Sequence, residues 1–206
     1  MGALFCFALF AGTAFADAKL PAPQKNGGDG IFGLLERRAS GTRSDFPKGE
    51  ISAEELSTIL WAASGLNRGG NGWTVPLAGG RPPYVKIYAV KPDGAFLYDW
   101  KEHSLVEVTG KNILGDITDD DFVKKSPCVL VFVTDIGSLG SMSRLNGGNA
   151  LAWTASGAMT QNAYLAADSL GISGRYMVSM KTGAVASELK LGDADTPLCI
   201  MPLGKR

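Results

Sequence analysis

The spacing of apolar positions changes several times along this chain, and each change marks an element. Ile31-Phe32-Gly33-Leu34-Leu35-Glu36-Arg37-Arg38 carries apolar residues at helical intervals and closes on two arginines, which suit the negative end of a helix dipole. Ser52-Ala53-Glu54-Glu55 has the form of a capping box and predicts a second helix, with Leu56, Ile59, Leu60 and Ala63 on one face and Gly65 as its stop. Residues 84–90 alternate with period two, Pro92-Asp93-Gly94 turns the chain, and residues 95–100 return. That predicts a hairpin, to which residues 104–108 add a third strand. A short helix is expected at 122–125. Residues 128–134 are apolar almost throughout, as in a central strand buried on both faces. Residues 150–170 hold small apolar side chains closed by Gly171, and predict a long helix packed closely on all sides. A strand at 172–180, a short helix at 183–191 and a last strand at 198–203 complete the order, with 204–206 frayed by default. Helices, hairpin, central strand, long helix and strand make an α+β layered sheet rather than regular βαβ alternation.

Composition narrows the class. The 206 residues, 45% hydrophobic and 19% charged, describe one globular domain and exclude a disordered tail, a coiled coil and a polytopic membrane protein. Lys+Arg and Asp+Glu both total 20, so no overall basic field exists to hold nucleic acid by counterion release. Glycine, at 27 residues, is about twice its usual ~7% share, so many turns pass close to something or take positive φ.

The amino terminus has its own pattern. Residues 3–16, ALFCFALFAGTAFA, are uncharged and mainly apolar and end on Ala14-Phe15-Ala16. A helix of that length reaches only ~21 Å against a hydrocarbon core of ~30 Å, so no stable membrane span is expected. It reads as a signal peptide at 1–16, cleaved after Ala16, for an exported, periplasmic protein; a buried amino-terminal helix is the alternative. Residues 17–29, rich in Pro, Gly and Lys, read as a flexible leader into a domain at 30–206. Cys128 and Cys199 sit in apolar runs and read as core residues, able to pair only if their strands are neighbours. The single histidine, His103, falls in a polar loop. Histidine-based metal sites and Ser/His/Asp triads thereby lose their usual centre, and no metal is expected.

Three clusters bring positive charge or bare backbone N–H to a loop. Arg37-Arg38-Ala39-Ser40-Gly41-Thr42-Arg43 offers three guanidiniums and two hydroxyls within seven residues, which suit a phosphate. A solvated helix end explains the same letters. Pro76-Leu77-Ala78-Gly79-Gly80-Arg81-Pro82-Pro83 can hold amides rigidly against a flat ligand, or be a surface turn. Gly204-Lys205-Arg206 can reach back to the same anion. The phosphate-loop pattern and a GxGxxG turn are absent, and Asp119-Asp120-Asp121 fits a helix amino terminus better than a metal site.

Read in order, these clusters resemble the nitroreductase family of flavoproteins, especially the branch akin to the azoline (thiazole/oxazole) oxidases. The resemblance runs from about Gly30 to the end. It rests on the arginine-rich opening at 37–43, Leu56-Ser57 with Leu60-Trp61-Ala62-Ala63, Gly65-Leu66-Asn67-Arg68, the loop Thr74-Val75-Pro76-Leu77-Ala78-Gly79, and Gln161-Asn162. Two extra residues interrupt the family's RRS-x-R opening, Leu77 stands where the family has serine, and Gly80 where many relatives have asparagine.

The resemblance implies a layered α/β/α sandwich with a mainly antiparallel sheet, forming a homodimer with FMN at the interface. It implies that Arg37, Arg38, Ser40 and Arg43, with Lys205 and Arg206, grip the phosphate and ribityl chain. Pro76, Ala78 and Gly79 would lie along the flavin, and Gly174 and Arg175 would approach its reactive edge. The electron donor would be NAD(P)H or an exported redox partner, and the acceptor a small-molecule substrate; FMN carries the chemistry, so no catalytic histidine is needed. The contrasting reading is an exported non-catalytic flavin-binding or degenerate module of the same fold.

Overall fold

Alternation along the central strands decides the layering. In β7 (Cys128–Thr134) all seven residues are buried, and their side chains enter two different cores in turn. Cys128, Leu130 and Phe132 pack on one face of the sheet, and Val129, Val131 and Val133 on the other. β4 (Val85–Lys91) repeats the division, with Val85, Ile87 and Ala89 opposite Tyr88 and Val90. A sheet apolar on both faces must be covered twice, which gives three layers.

The chain is represented by a computed structural model that describes residues 17–46, 48–144 and 149–206; the expected signal segment at 1–16 lies outside the described residues. The sheet contains β1 (Ala18–Lys19), β4, β5 (Gly94–Asp99), β6 (Ser104–Thr109), β7, β8 (Ile172–Gly174) and β9 (Pro197–Lys205). Their order is β1-β6-β5-β4-β7-β9-β8, and every pairing is antiparallel. A small second sheet pairs β2 (Leu66–Asn67) with β3 (Gly72–Trp73). Its two strands flank the glycine-rich turn at Arg68–Gly70.

One face of the sheet is covered by α2 (Ala53–Ser64) and α6 (Asn149–Ser169), which pack on each other. Ser52 caps α2 as expected: its hydroxyl accepts from the Glu55 N–H at 3.2 Å, while Glu55 accepts from the Ser52 N–H at 2.9 Å. The other face carries α3 (Leu114–Ile117), α4 (Asp121–Lys124) and α7 (Thr182–Glu188). The helix expected at residues 31–38 forms as α1 (Ile31–Arg37) and lies against α6, and α5 (Ile136–Leu139) follows β7. Among the described residues no helix is long and apolar enough to cross a membrane.

Four expectations change. Residues 17–29 are no loose leader: β1 pairs with β6, Leu20 is buried, and the Gln24 N–H donates to Thr58 Oγ1 at 3.0 Å. Their partners are distant in sequence, so no local period announces them. The strand expected over 172–180 keeps its ladder only to Gly174, with a single bridge at Met177. Opposite the break stands Pro202, which accepts from the Arg175 N–H at 3.2 Å but has no N–H to return. Helix α6 packs on one side only, leaving Trp153, Thr154, Gly157 and Gln161 exposed. The chain end does not fray, because β9 runs to Lys205 in register with β8.

Candidate functional site

Helix α6 contains one charged side chain, Asp168, in an otherwise small and apolar sequence. Its side chain is only 2% exposed, and an unpaired carboxylate there would be strongly destabilising. Two arginines from opposite ends of the domain offset that cost. Arg37, the last residue of α1, donates from Nε to Asp168 Oδ2 at 2.6 Å. Arg206, the last residue of the chain, donates from Nη2 to Asp168 Oδ1. Arg37 Nη2 also donates to Asp29, at the end of the leader. The Asp29 bond first, and the Asp168 bond second, raise the Arg37 pKa above its usual value, so the guanidinium stays charged. Both arginines remain accessible, 39% and 42% exposed.

One turn earlier, Tyr164 organises the next two residues of the same cluster. The Arg38 guanidinium lies 5.2 Å from the centre of its ring, a cation–π distance, and Ser40 Oγ is 3.0 Å from its hydroxyl. The Tyr176 N–H donates to that hydroxyl at 2.5 Å. The segment after β8 joins through the backbone: the Gly41 N–H donates to Gly174 O at 2.8 Å, and Arg175 Nη1 donates to Gly41 O at 3.0 Å.

The loop at 41–46 rests directly on the carboxyl-terminal strand. A Cβ on Gly204 would lie 2.5 Å from Asp45 O, so only glycine permits this approach. Asp45 braces the loop from within. Burial opposes its charge, but the Thr42 N–H at 2.7 Å and neighbouring hydroxyls outweigh that and hold its pKa below the ordinary carboxylate value.

Arg37, Arg38, Ser40, Gly174, Arg175 and Arg206 are thus brought together around the last turns of α6. Lys205 is the last residue of β9, next to Arg206, yet its Nζ turns to Glu55 at the start of α2. Arg43 lies over the Phe122 ring at 5.6 Å and lines a separate hollow with Asp119, Asp120 and Asp121. Pro76, Ala78 and Gly79 stand elsewhere in the chain: the Ala78 N–H donates to Tyr84 Oη at 3.2 Å, and Gly79, at φ 62°, packs against Met142. Leu77, in the motif serine's place, packs on the core.

Sequence reasoning missed Asp168, Tyr164, Asp29 and Asp45. A signal for the first two was present: a tyrosine and an aspartate four apart, alone of their kind in a small-residue helix, share one face and need polar partners. Asp29 and Asp45 had none, since their roles depend on how loops fold back. Asp119 pairs with Lys181 at 2.5 Å and Asp121 with Lys124 at 3.1 Å; Asp120 sits at the amino end of α4 without a side-chain cap bond.

Comparisons with known proteins agree with this architecture. A solved structure from Ralstonia eutropha JMP134, assigned as a nitroreductase, is 28% identical, with a TM-score of 0.84 over 95% of this chain and 91% of that one. A Methanocaldococcus jannaschii protein assigned likewise, MJ1384, is 26% identical over 184 residues, covering 84% of this chain and 89% of that protein. The Escherichia coli microcin synthetase complex McbBCD, bound to truncated pro-MccB17, shares the fold at 19% identity, with a TM-score of 0.72 over 82% of this chain and 69% of that one. The Nitroreductase family profile matches residues 35–205, and this chain therefore belongs to the nitroreductase family.

Proposed function

We propose that the protein is an FMN-dependent oxidoreductase, passing electrons from NAD(P)H or an exported redox partner to a small organic acceptor. The observation that carries this reading is the meeting of Arg37 and Arg206, from the two ends of the domain, on one buried carboxylate beside Arg38 and Ser40. The donor set fits a phosphate ester: exposed guanidiniums with unused N–H groups, and a hydroxyl held by a buried tyrosine. FMN, when bound, supplies the two-electron chemistry, which accounts for a site without histidine. Arg37, Arg38, Ser40 and Arg206 would hold its phosphate and ribityl chain, with Lys205 and Arg43 needing to leave their present partners to join them. Gly174 and Arg175 would border the ring.

Pro76, Ala78 and Gly79 belong to the same reading only across a symmetric pair. Ile31, Phe32 and Leu35 of α1 and Trp153 of α6 are exposed apolar residues suited to such contact, Phe32 at 85% exposure. The second reading, a non-catalytic module, is favoured by Leu77, whose side chain packs inward and offers no hydroxyl to a flavin.

Absorbance of the purified protein separates the two. A yellow sample, bleached by dithionite and recoloured by air or a nitroarene, supports the enzyme; a colourless protein that refuses added FMN ends the proposal. Arg37→Ala should weaken FMN binding by about tenfold or more, the scale of a charged hydrogen bond. Unchanged affinity would remove Arg37 from the site.

A further inference from the structure

We propose that Asp168 is the positioning residue of the anion site, a buried carboxylate that sets Arg37 and Arg206 as one fixed pair of guanidiniums. The inference rests on the flavin mononucleotide reading above. Each oxygen of Asp168 holds one arginine: Oδ2 takes Arg37 Nε and Oδ1 takes Arg206 Nη2. The carboxylate is anchored on a 21-residue helix packed against α2 and the sheet, whereas its partners come from a helix end and a chain end. Arg206 is tied a second time to the same helix end, its N–H donating to Gly171 O at 3.2 Å. Among the described residues, Arg37 Nη1 and the Nε and Nη1 of Arg206 have no hydrogen-bond partner, so both guanidiniums keep donors for a ligand anion. Long side chains already held in place lose less freedom when an anion arrives, and that is the gain from positioning.

Charge alone makes the opposite prediction. Asp168 cancels one positive charge beside the site, so if it acted only through the local field, its neutralisation would tighten anion binding. If it acts by positioning, neutralisation loosens binding. The sign of the effect therefore distinguishes the two.

The test is to titrate the purified protein and Asp168→Asn with FMN and with riboflavin, which lacks the phosphate, following flavin fluorescence. The unaltered protein should prefer FMN, and Asp168→Asn should lower FMN affinity about tenfold while leaving riboflavin affinity unchanged. Unchanged or tighter FMN binding overturns the proposal, as does an equal loss for both ligands, which marks a merely structural role. If the unaltered protein shows no preference for FMN, the phosphate reading itself fails and takes this inference with it. Arg206→Gln guards against poor folding of the first variant. It should show the same selective loss, and the double variant should lose less than the sum of the two. Full retention of FMN preference in Arg206→Gln, or strict additivity, counts against Asp168.

Discussion

His103 shows how far one residue can be read. Its place in a polar loop follows from its neighbours, but its partners come from three other segments. Ser57 Oγ donates its one hydrogen to Pro21 O at 2.6 Å, so His103 Nε2 must carry the proton that reaches Ser57 Oγ at 2.8 Å. Nδ1 is then the acceptor from Tyr98 Oη at 2.9 Å. Burial pushes the His103 pKa down; the Pro21 carbonyl works the other way, and Lys25 and Lys19 add to the fall. Tyr98, itself raised by burial, stays a hydroxyl. A neutral histidine in the folded state and an ordinary one in the unfolded state give a definite sign. The stabilisation is complete above the unfolded value of about 6.5 and is lost as pH falls through the folded value. Urea unfolding should therefore show a lower midpoint at about pH 5.5 than at about pH 7.5. His103→Asn, which tolerates the φ of 48° at this position, should be less stable at the higher pH and lose much of that slope. An unchanged slope in the variant would show that other groups set it.

Among elements, those with a local signature were legible, and those defined by register were not. The capping box of α2 is written in four consecutive residues; Ser52→Ala should cost about 1 kcal/mol of stability, read as a shift in the denaturant midpoint. The two cysteines needed the register. Their strands are indeed neighbours, but Cys128 stands opposite Leu203 and Cys199 opposite Phe132. Four residues of β7 separate the two rungs, roughly 13 Å at strand spacing, where a disulfide requires Cα atoms within about 7 Å. Burial pushes both thiols up to about 12. A thiol reagent should leave Cys128 and Cys199 untouched in the folded protein under oxidising conditions and modify both in denaturant. Labelling of either in the folded protein would contradict their burial, and failure to label both in denaturant without reductant would mean a disulfide and contradict the register. β8 was overread for the complementary reason: residues 172–180 have strand composition, but pairing depends on a proline in the opposite strand.

At the scale of the molecule, the apolar run at 128–134 was enough to expect one strand covered on both faces, while the three-layer sandwich followed from the family resemblance; the division of β4 side chains between two cores shows only in the structure. The site was half visible. Arginines at 37 and 206 could be suspected of a common purpose from their chemistry, but the carboxylate that joins them lay in a helix whose sequence looked uniformly structural. Within this chain the glycine-proline loop at 76–80 finds partners in Tyr84 and Met142 rather than in the arginine cluster, while α1 and α6 expose apolar side chains that water does not favour. A symmetric pair in which these helices meet would cover them and supply a second set of loop residues to each site. Phe32 is the most exposed of these side chains and makes the sharpest probe. Sedimentation should find the protein at twice its chain mass, and Phe32→Asp, which puts charge into the contact without touching the core, should shift it toward the monomer. If the protein sediments as a monomer from the start, the loop and the arginines belong to different surfaces, and the site must be completed within one chain.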